Sequence, residues 1–464
     1  MSGALLLAGL AAYSWVMFHL AWKQALAAEG FVDEMPVAEP RDRILVVAPH
    51  PDDEVLGCGG LIQQALDAGA RVDVVLVTNG DASELSLIFG EGDLPLGPDA
   101  YVKLGRMRQK ESLAALGLLG LPENRVHFLG YPNNGLLSIW RPEHWRYVDM
   151  YRSPYTKVSF SPYERCFTAQ APYCGQQVLS DMLALMYHVR PTIILAPHPQ
   201  DLHPDHWVAY CFTRFALATA AVRGAEWARE AKVYGYLVHW PRYPAPRGFA
   251  PGAKLLPPAE LVAGDGGWLK LPLTSEQAQA KAKAIRRYRS QEPSFDRLLL
   301  SFARRNEVFC RLPAMQAVYG EPVHWEDEAN HQRGLAGADL RGVSLLITEG
   351  LAVEAEGWRA RREVPAKGYM AVDLRTWSTE GAPVIITIYV ANGGRVAVKT
   401  ISGHSPLPPS KARLVSTRDG YFQLRGVALP ESVKECGEVF VTCWGSVRDR
   451  VTDPVVAGEL WMTK

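Results

Sequence analysis

Between residues 43 and 312, short and uniformly apolar runs alternate with stretches whose apolar positions recur at helical spacing. Residues 44–48 (Ile-Leu-Val-Val-Ala) and 72–78 are β-rich with almost no polar alternation, the pattern of parallel strands buried on both faces. The helix-like stretch 61–66 lies between them. The pattern then predicts a helix over 101–119, a strand over 126–129, a helix over 178–188, a strand over 192–196 and a helix over 204–222. A strand over 233–238 and a helix over 275–289 complete the region. Such alternation predicts an α/β fold, a mostly parallel sheet layered with helices in the Rossmann-like manner. The Pro-rich connection 241–258 is long for a loop and is expected to be peripheral or a site rim.

Past residue 335 the pattern changes to short strand-like runs (343–348, 369–373, 384–390, 395–401, 421–427, 439–444) separated by Gly, Pro and Ser. They predict a C-terminal β-sandwich. At the other end, residues 4–22 form an apolar run without Asp, Glu, Lys or Arg, about the length that spans a hydrocarbon core. Two readings stay open. The run is either an uncleaved membrane anchor or a secretory signal with Ala25-Leu26-Ala27 as its cleavage site. The lack of a basic residue ahead of it favours the anchor, and Lys23 just after it favours a cytoplasmic body; cleavage would make the protein secreted. The chain thus divides into an anchor or signal segment (1–28), a Pro-containing tether (29–42), an α/β domain (43–332) and a β-rich C-terminal domain (333–464).

Composition narrows the partners. Lys plus Arg and Asp plus Glu both number 49, so no basic stripe is available for nucleic acid. Seven cysteines, an odd number in 464 residues, argue against a disulfide framework. Cys436 and Cys443 flank a strand-like run and lie too far apart to pair, which leaves Cys166 and Cys174 as the pair free to do so.

Two polar clusters follow predicted strands directly: His50-Pro51-Asp52-Asp53-Glu54, and His198 to His206 with Asp201, His203 and Asp205. Ligands of open parallel sheets bind at the carboxyl ends of strands, so both clusters project to one edge. A catalytic zinc needs three nitrogen or oxygen ligands and a position for water, which His50, Asp53 and His206 can supply. Asp52 and Asp53 are adjacent and do not easily both face one ion, so one binds while the other takes a proton from water. His203, as an imidazolium, would stabilise an oxyanion or protonate a leaving amine, and Asp205 or Asp201 would orient a histidine. Each cluster alone is also what a helix N-cap looks like; two at one edge are much less so. The spacing is not that of a zinc finger.

These residues resemble the PIG-L/LmbE-like family of zinc-dependent N-acetylglucosaminyl deacetylases over roughly residues 43–312. The strongest piece is Ala48-Pro49-His50-Pro51-Asp52-Asp53-Glu54, the family's signature with one extra proline. Thr78-Asn79-Gly80, Arg108 with Glu111, Gly135-Leu136 and His203-Pro204-Asp205-His206 also match, and Lys281, Ala284, Tyr288, Ser290 and Gln291 fit a weaker later pattern. The resemblance implies one Zn2+ per chain on His50, Asp53 and His206. It makes Asp52 the general base, His203 the oxyanion or leaving-group residue, and Arg108 a substrate contact. Asn133 and Asn134 stand where the family commonly has Asp, so the sugar contact there is altered. The expected reaction is hydrolysis of the acetamide of an N-acetylated amino sugar. Two alternatives are a catalytically inactive, membrane-tethered glycan-binding protein, with Trp358, Trp377, Trp444 and Trp461 as stacking platforms where core packing is the favoured role for them, and a phosphoesterase, for which bridging carboxylates are too few.

Overall fold

The computed structural model describes residues 29–83, 97–259, 261–262, 267–291 and 297–312, with isolated positions in 16–26. Beyond 312 it describes strands, with side chains at 373, 375, 377, 382–385 and 387.

The α/β region is built on eight strands: β1 (Asp33–Glu34), β2 (Arg43–Ala48), β3 (Arg71–Thr78), β4 (Val126–Tyr131), β5 (Ile193–Pro197), β6 (Lys232–Tyr236), β7 (Trp268–Pro272) and β8 (Asn306–Arg311). Their order across the sheet is β1-β7-β8-β6-β5-β2-β3-β4. The run β6-β5-β2-β3-β4 is parallel throughout. Its helices are α1 (Asp53–Asp67), α2 (Pro98–Leu118), α3 (Leu136–Trp140), α4 (Gly175–Val189), α5 (Pro204–Val222), α6 (Glu226–Glu230) and α7 (Ser275–Ile285). The α/β expectation therefore holds. The sequence pattern missed β7 and β8, the antiparallel pair, because Lys270 and Glu307 interrupt their apolar runs.

Chain order places the site. From β2 the sheet grows one way through β3 and β4, and from β5 the other way through β6. Strands β2 and β5 are neighbours, in register at Ile44 with Ile193 and Val46 with Leu195. A crevice opens at such a reversal, and the loops after both strands empty into it. That is how two clusters some 150 positions apart come together.

Helix α1 begins at Asp53, directly after the first cluster, and its first turn carries Asp53 and Glu54 at the positive end of the helix dipole. It lies flat on the sheet through glycines: a Cβ on Gly57 would meet the Tyr236 ring at 2.4 Å, and one on Gly60 would meet Leu273 at 2.4 Å. Glu307 of β8 accepts the backbone N–H groups of Gly60 (2.6 Å) and Leu61 (2.8 Å) and pairs with Lys281 of α7 at 2.6 Å. Lys281 also donates to Leu56 O at 2.8 Å, so this buried pair fastens α1 to α7 and β8. Full burial of each Val, Leu or Ile along β2, β3 and β5 adds roughly 1.5–3 kcal/mol.

The C-terminal strands form a five-stranded and a six-stranded sheet. The sandwich packing expected for them lies outside the described residues. Strands at Met315–Val318 and Val323–His324 already pair within these sheets, upstream of the expected boundary at 333. One strand, Gly368–Trp377, reaches the α/β region with alternate side chains. Arg375 sits 3.2 Å over the Trp140 ring and 4.4 Å over Trp145, donates to Trp140 O at 2.5 Å, and pairs with Asp373 at 2.7 Å. Trp377 stacks on Phe215 and donates to Thr219 Oγ1 at 2.9 Å.

Trp377 is fully buried against α5, the core position expected of it. Two expectations change. Cys166 and Cys174 are both free; the Cys166 thiol donates to Tyr163 O and Thr168 O, and Cys174 is buried. Part of the expected tether is built into the body, since β1 pairs with β7 and Val32 and Met35 are buried. Among the described residues no helix is long and apolar enough to cross a membrane, and most of the apolar run 4–22 lies outside them.

Candidate metal centre and active site

Three donor atoms converge where β2 and β5 end. His50 Nδ1 lies 3.1 Å from Asp53 Oδ2, His206 Nε2 lies 3.0 Å from the same oxygen, and the two nitrogens are 3.3 Å apart. A tetrahedral ion with ligand bonds of about 2.0–2.1 Å has ligand–ligand edges of roughly 3.3 Å, so the triangle has the size such an ion requires. The electrostatics agree. Burial disfavours a charged His206, yet Asp201 and Asp53 outweigh it and hold the imidazole well above its ordinary range. Burial likewise pushes Asp53 up, but His206 and His50 beside it hold the carboxyl well below its ordinary range. The donors are arranged around a positive charge, and a divalent ion fits them.

Each histidine has its own carboxylate behind it. His50 Nε2 lies 3.3 Å from Asp205 Oδ2, which leaves Nδ1 for the ion. His206 Nδ1 lies 3.2 Å from Asp201 Oδ2, which leaves Nε2. Such partners fix ring orientation and raise ligand basicity. Asp205 is itself held by the backbone N–H groups of Asn134 (2.6 Å) and Leu136 (3.3 Å), at the start of α3. Asp201 accepts from the N–H groups of Val238 and His239, both at 2.9 Å.

Asp52 stands beside this triangle with a different set of partners. Its φ of 125° is a left-handed conformation that costs a non-glycine residue of order 1–3 kcal/mol. The Asp52 N–H donates to Glu54 at 3.0 Å, and the Tyr288 hydroxyl donates to the other Glu54 oxygen, so Glu54 clamps the turn. The Arg108 guanidinium lies 3.2 Å from Asp52 Oδ2 and also donates to Pro51 O (2.5 Å) and Gly80 O (3.0 Å). Burial pushes the Asp52 carboxyl up to about 8, with Arg108 pulling it down. The adjacent carboxylates thus divide, with Asp53 inside the donor triangle and Asp52 outside it, against the Arg108 guanidinium. Glu111 takes up Ser290, accepting from its N–H at 2.8 Å and its hydroxyl at 2.7 Å.

His203 caps α5: its Nδ1 accepts from the Asp205 N–H at 3.2 Å, so Nε2 carries the proton. Burial and the neighbouring His50 and His206 hold it well below the ordinary imidazole range, which makes it a neutral N–H donor in place of the expected imidazolium. Its ring centroid lies 4.6 Å from that of His50.

The wall beyond the centre is made by Asp81, Asn133 and Asn134. Asp81 accepts from the Tyr163 hydroxyl at 2.6 Å and the Asn133 N–H at 3.1 Å, and burial pushes its carboxyl up to about 6. Asn133 is buried with its Oδ1 unbonded, whereas the Asn134 side chain is exposed and its backbone, at φ 59°, serves Asp205. Sequence reasoning missed Asp81 and His239, and gave Glu54 and Tyr288 no role of their own although both lie in the motifs it matched. His239 follows β6 as the two clusters follow β2 and β5, and the strand-end rule applied there would have found it.

Residues 45–217 match the family model described as GlcNAc-PI de-N-acetylase, PIG-L. Over 206 residues the chain is 34% identical to a 1D-myo-inositol 2-acetamido-2-deoxy-alpha-D-glucopyranoside deacetylase of Mycobacterium sp. (strain KMS), an overlap of 44% of this chain. It spans 57% of the length of that relative. Among solved structures, N,N'-diacetylchitobiose deacetylase from Pyrococcus horikoshii is 20% identical, covering 60% of this chain and 88% of its own with a TM-score of 0.36. A 4-carboxy-2-hydroxymuconate hydratase from Pseudomonas putida is 19% identical, covering 56% and 82% with a TM-score of 0.35.

Proposed function

We propose, from the premise that residues 45–217 belong to the PIG-L family, that this chain is a zinc-dependent N-deacetylase acting on an N-acetylglucosamine-containing glycoconjugate. The observation that carries this reading is the donor triangle of His50, Asp53 and His206 with Asp52 beside it on Arg108. It is also supported by the mycobacterial relative, whose name describes deacetylation of an acetamido sugar.

When bound, zinc supplies Lewis acidity, lowering the pKa of water and polarising the acetamide carbonyl. The protein does the rest. Asp52 accepts the proton of the attacking water as the new C–O bond forms. Arg108 keeps the Asp52 carboxylate aimed, and its burial keeps competing water away. The His203 Nε2–H donates a hydrogen bond to the oxygen that becomes negative in the tetrahedral adduct. As the C–N bond breaks, the proton held by Asp52 passes to the departing nitrogen, giving acetate and a free amine. Asn133 and Arg108 line the sugar side.

The same reading divides the chain into an anchor (1–28), a deacetylase body that takes in β1 and ends near residue 312, and a C-terminal β-rich domain that begins with the strand Met315–Val318, with the anchor holding the body at the cytoplasmic face of a membrane. Membrane fractionation followed by protease protection tests that placement, and release of the chain into the medium would refute it.

Asp52→Asn tests the chemistry. It keeps the side chain's shape and removes the base, and acetate release should fall about 10²–10⁴-fold, the usual contribution of a positioned general base. Zinc content by plasma emission should stay near one ion per chain. Turnover undiminished in the variant would refute the assignment, and glycan binding without turnover in the wild type would favour the binding-protein alternative.

A further inference from the structure

Four imidazoles, not three, surround the centre. Donor atoms of His50, His203 and His206 lie within 4.8 Å of one another, and so do those of Asp53, His206 and His239. The two additional histidines are not equivalent. His203 Nδ1 already accepts from the Asp205 N–H, so its other nitrogen carries a proton and has no lone pair to offer an ion. His239 is differently placed. Its ring lies 4.6 Å from that of His206 and 5.2 Å from that of His203, and no described residue bonds either of its ring nitrogens.

Its backbone, in contrast, is fixed on both sides. The His239 N–H donates to Asp201 Oδ2 at 2.9 Å, and its carbonyl accepts from the Leu202 N–H at 2.9 Å. The same Asp201 oxygen lies 3.2 Å from His206 Nδ1, so one buried carboxylate orients a metal-facing histidine and holds the backbone of the next. The ring is thus anchored at its backbone beside the donor triangle, with neither nitrogen bonded by a described residue.

We infer that His239 is a fourth protein donor, so that the centre takes its divalent cation on three imidazoles and the Asp53 carboxylate. This rests on the metal-centre reading above and adds a ligand from the β6 loop, which neither sequence cluster contains. A His239 donor atom lies within 4.8 Å of donor atoms of Asp53 and His206, and opposite ligands of an ion with bonds near 2.1 Å stand roughly 4.2 Å apart, so turning the His239 ring is the movement that would bring it onto the ion. A fifth position remains for water, since zinc sites expand to five ligands.

The test uses the full chain, stripped with chelator and titrated with Zn2+ by calorimetry and with Co2+ by visible absorption. The variants are His239→Ala and the volume-preserving His239→Gln, with His206→Ala as reference; circular dichroism establishes that each is folded. Both His239 variants should bind Zn2+ at least about 10–100-fold more weakly, since even losing an orienting partner costs that much. Their Co2+ bands should intensify as the coordination number falls, and imidazole added to His239→Ala should restore the wild-type spectrum. Wild-type affinity with an unaltered Co2+ spectrum would overturn the inference. So would weaker binding with an unaltered spectrum, which is the mark of a positioning residue. If His206→Ala keeps wild-type affinity, the metal centre itself is misassigned, whatever His239 does.

Discussion

The metal-facing side of the crevice and the wall opposite it are built on contrary principles. At the centre each donor has a charged group set behind it: Asp205 lies 3.3 Å from His50 Nε2, Asp201 lies 3.2 Å from His206 Nδ1, and Arg108 lies 3.2 Å from the Asp52 carboxylate. Across the crevice, Asn133 keeps a buried Oδ1 with no partner. A buried polar group left unpaired costs roughly 1–3 kcal/mol. The contrast teaches where the fold spends stability. An ion needs ligands immobilised before it arrives, whereas a hydroxyl-rich substrate needs donors and acceptors not yet committed to the protein.

The sharpest way to break this contrast is to remove a donor from the claimed side. His206→Ala takes away one ligand and leaves Asp53 and Asp201 buried with one cation fewer. Zinc content should drop to a small fraction of an ion per chain, and acetate release should fall on the order of 10³-fold or more, the scale on which removing one member of a cooperating set acts. An active, zinc-loaded variant would end the claim that the centre is the organising feature.

The next effect is on folding, at the root of the wall. Helix α3 begins where Asn134 and Leu136 hold Asp205, and it ends at Trp140, whose carbonyl and ring are gripped by Arg375. Arg375→Ala strips the cation from Asp373, which is buried and keeps the Thr387 hydroxyl at 2.6 Å. Breaking a buried pair in this way costs about 3–5 kcal/mol, which chemical denaturation should register as a lower midpoint. An unchanged midpoint would mean that the clasp is decorative.

That clasp was invisible in the sequence, and the reason is physical. The alternation Asp373, Arg375, Trp377 reads as the polar face of a strand, and nothing local says that the face is buried against another part of the chain. The proposed metal ligands were legible for the opposite reason: His50 and Asp53 follow directly on the wholly apolar β2, His206 lies in the loop and helix start after β5, and strand ends are where parallel sheets place their chemistry. Helix α5 matched its predicted span, 204–222, because Pro204 sets its start. Tyr288 and Glu54 were unreadable as partners, being 234 positions apart. His203 was read as a cation because its type permits it; its burial among other imidazoles, which decides the matter, is tertiary.

A smaller effect probes the wall's own charge. Burial raises the folded pKa of Asp81 from 3.8 to about 6. Between about pH 4 and 6 the native Asp81 therefore holds a proton that the unfolded chain has released, so its contribution to stability falls as pH rises through that window and is level above it. Two pKa units correspond to about 3 kcal/mol. Asp81→Asn should flatten this slope in denaturation curves taken from pH 4 to 7.5 and be the more stable protein at the upper end. A variant with the wild-type slope would place the titration elsewhere.

The smallest effect has the most diagnostic sign. Asn133→Ala leaves the backbone N–H on Asp81 and deletes only the amide whose oxygen is unbonded. For the free protein this removes a desolvation penalty, so the melting temperature should hold or rise slightly. For an amino-sugar substrate it removes a partner worth about 1 kcal/mol, or roughly a fivefold rise in KM with kcat unchanged. Removing a donor from the claimed side, as in His206→Ala, should instead lower zinc binding and turnover together. If Asn133→Ala instead lowers the melting temperature and leaves KM alone, Asn133 belongs to the framework, and the division of the crevice into a committed and an uncommitted side fails at the residue chosen to represent it.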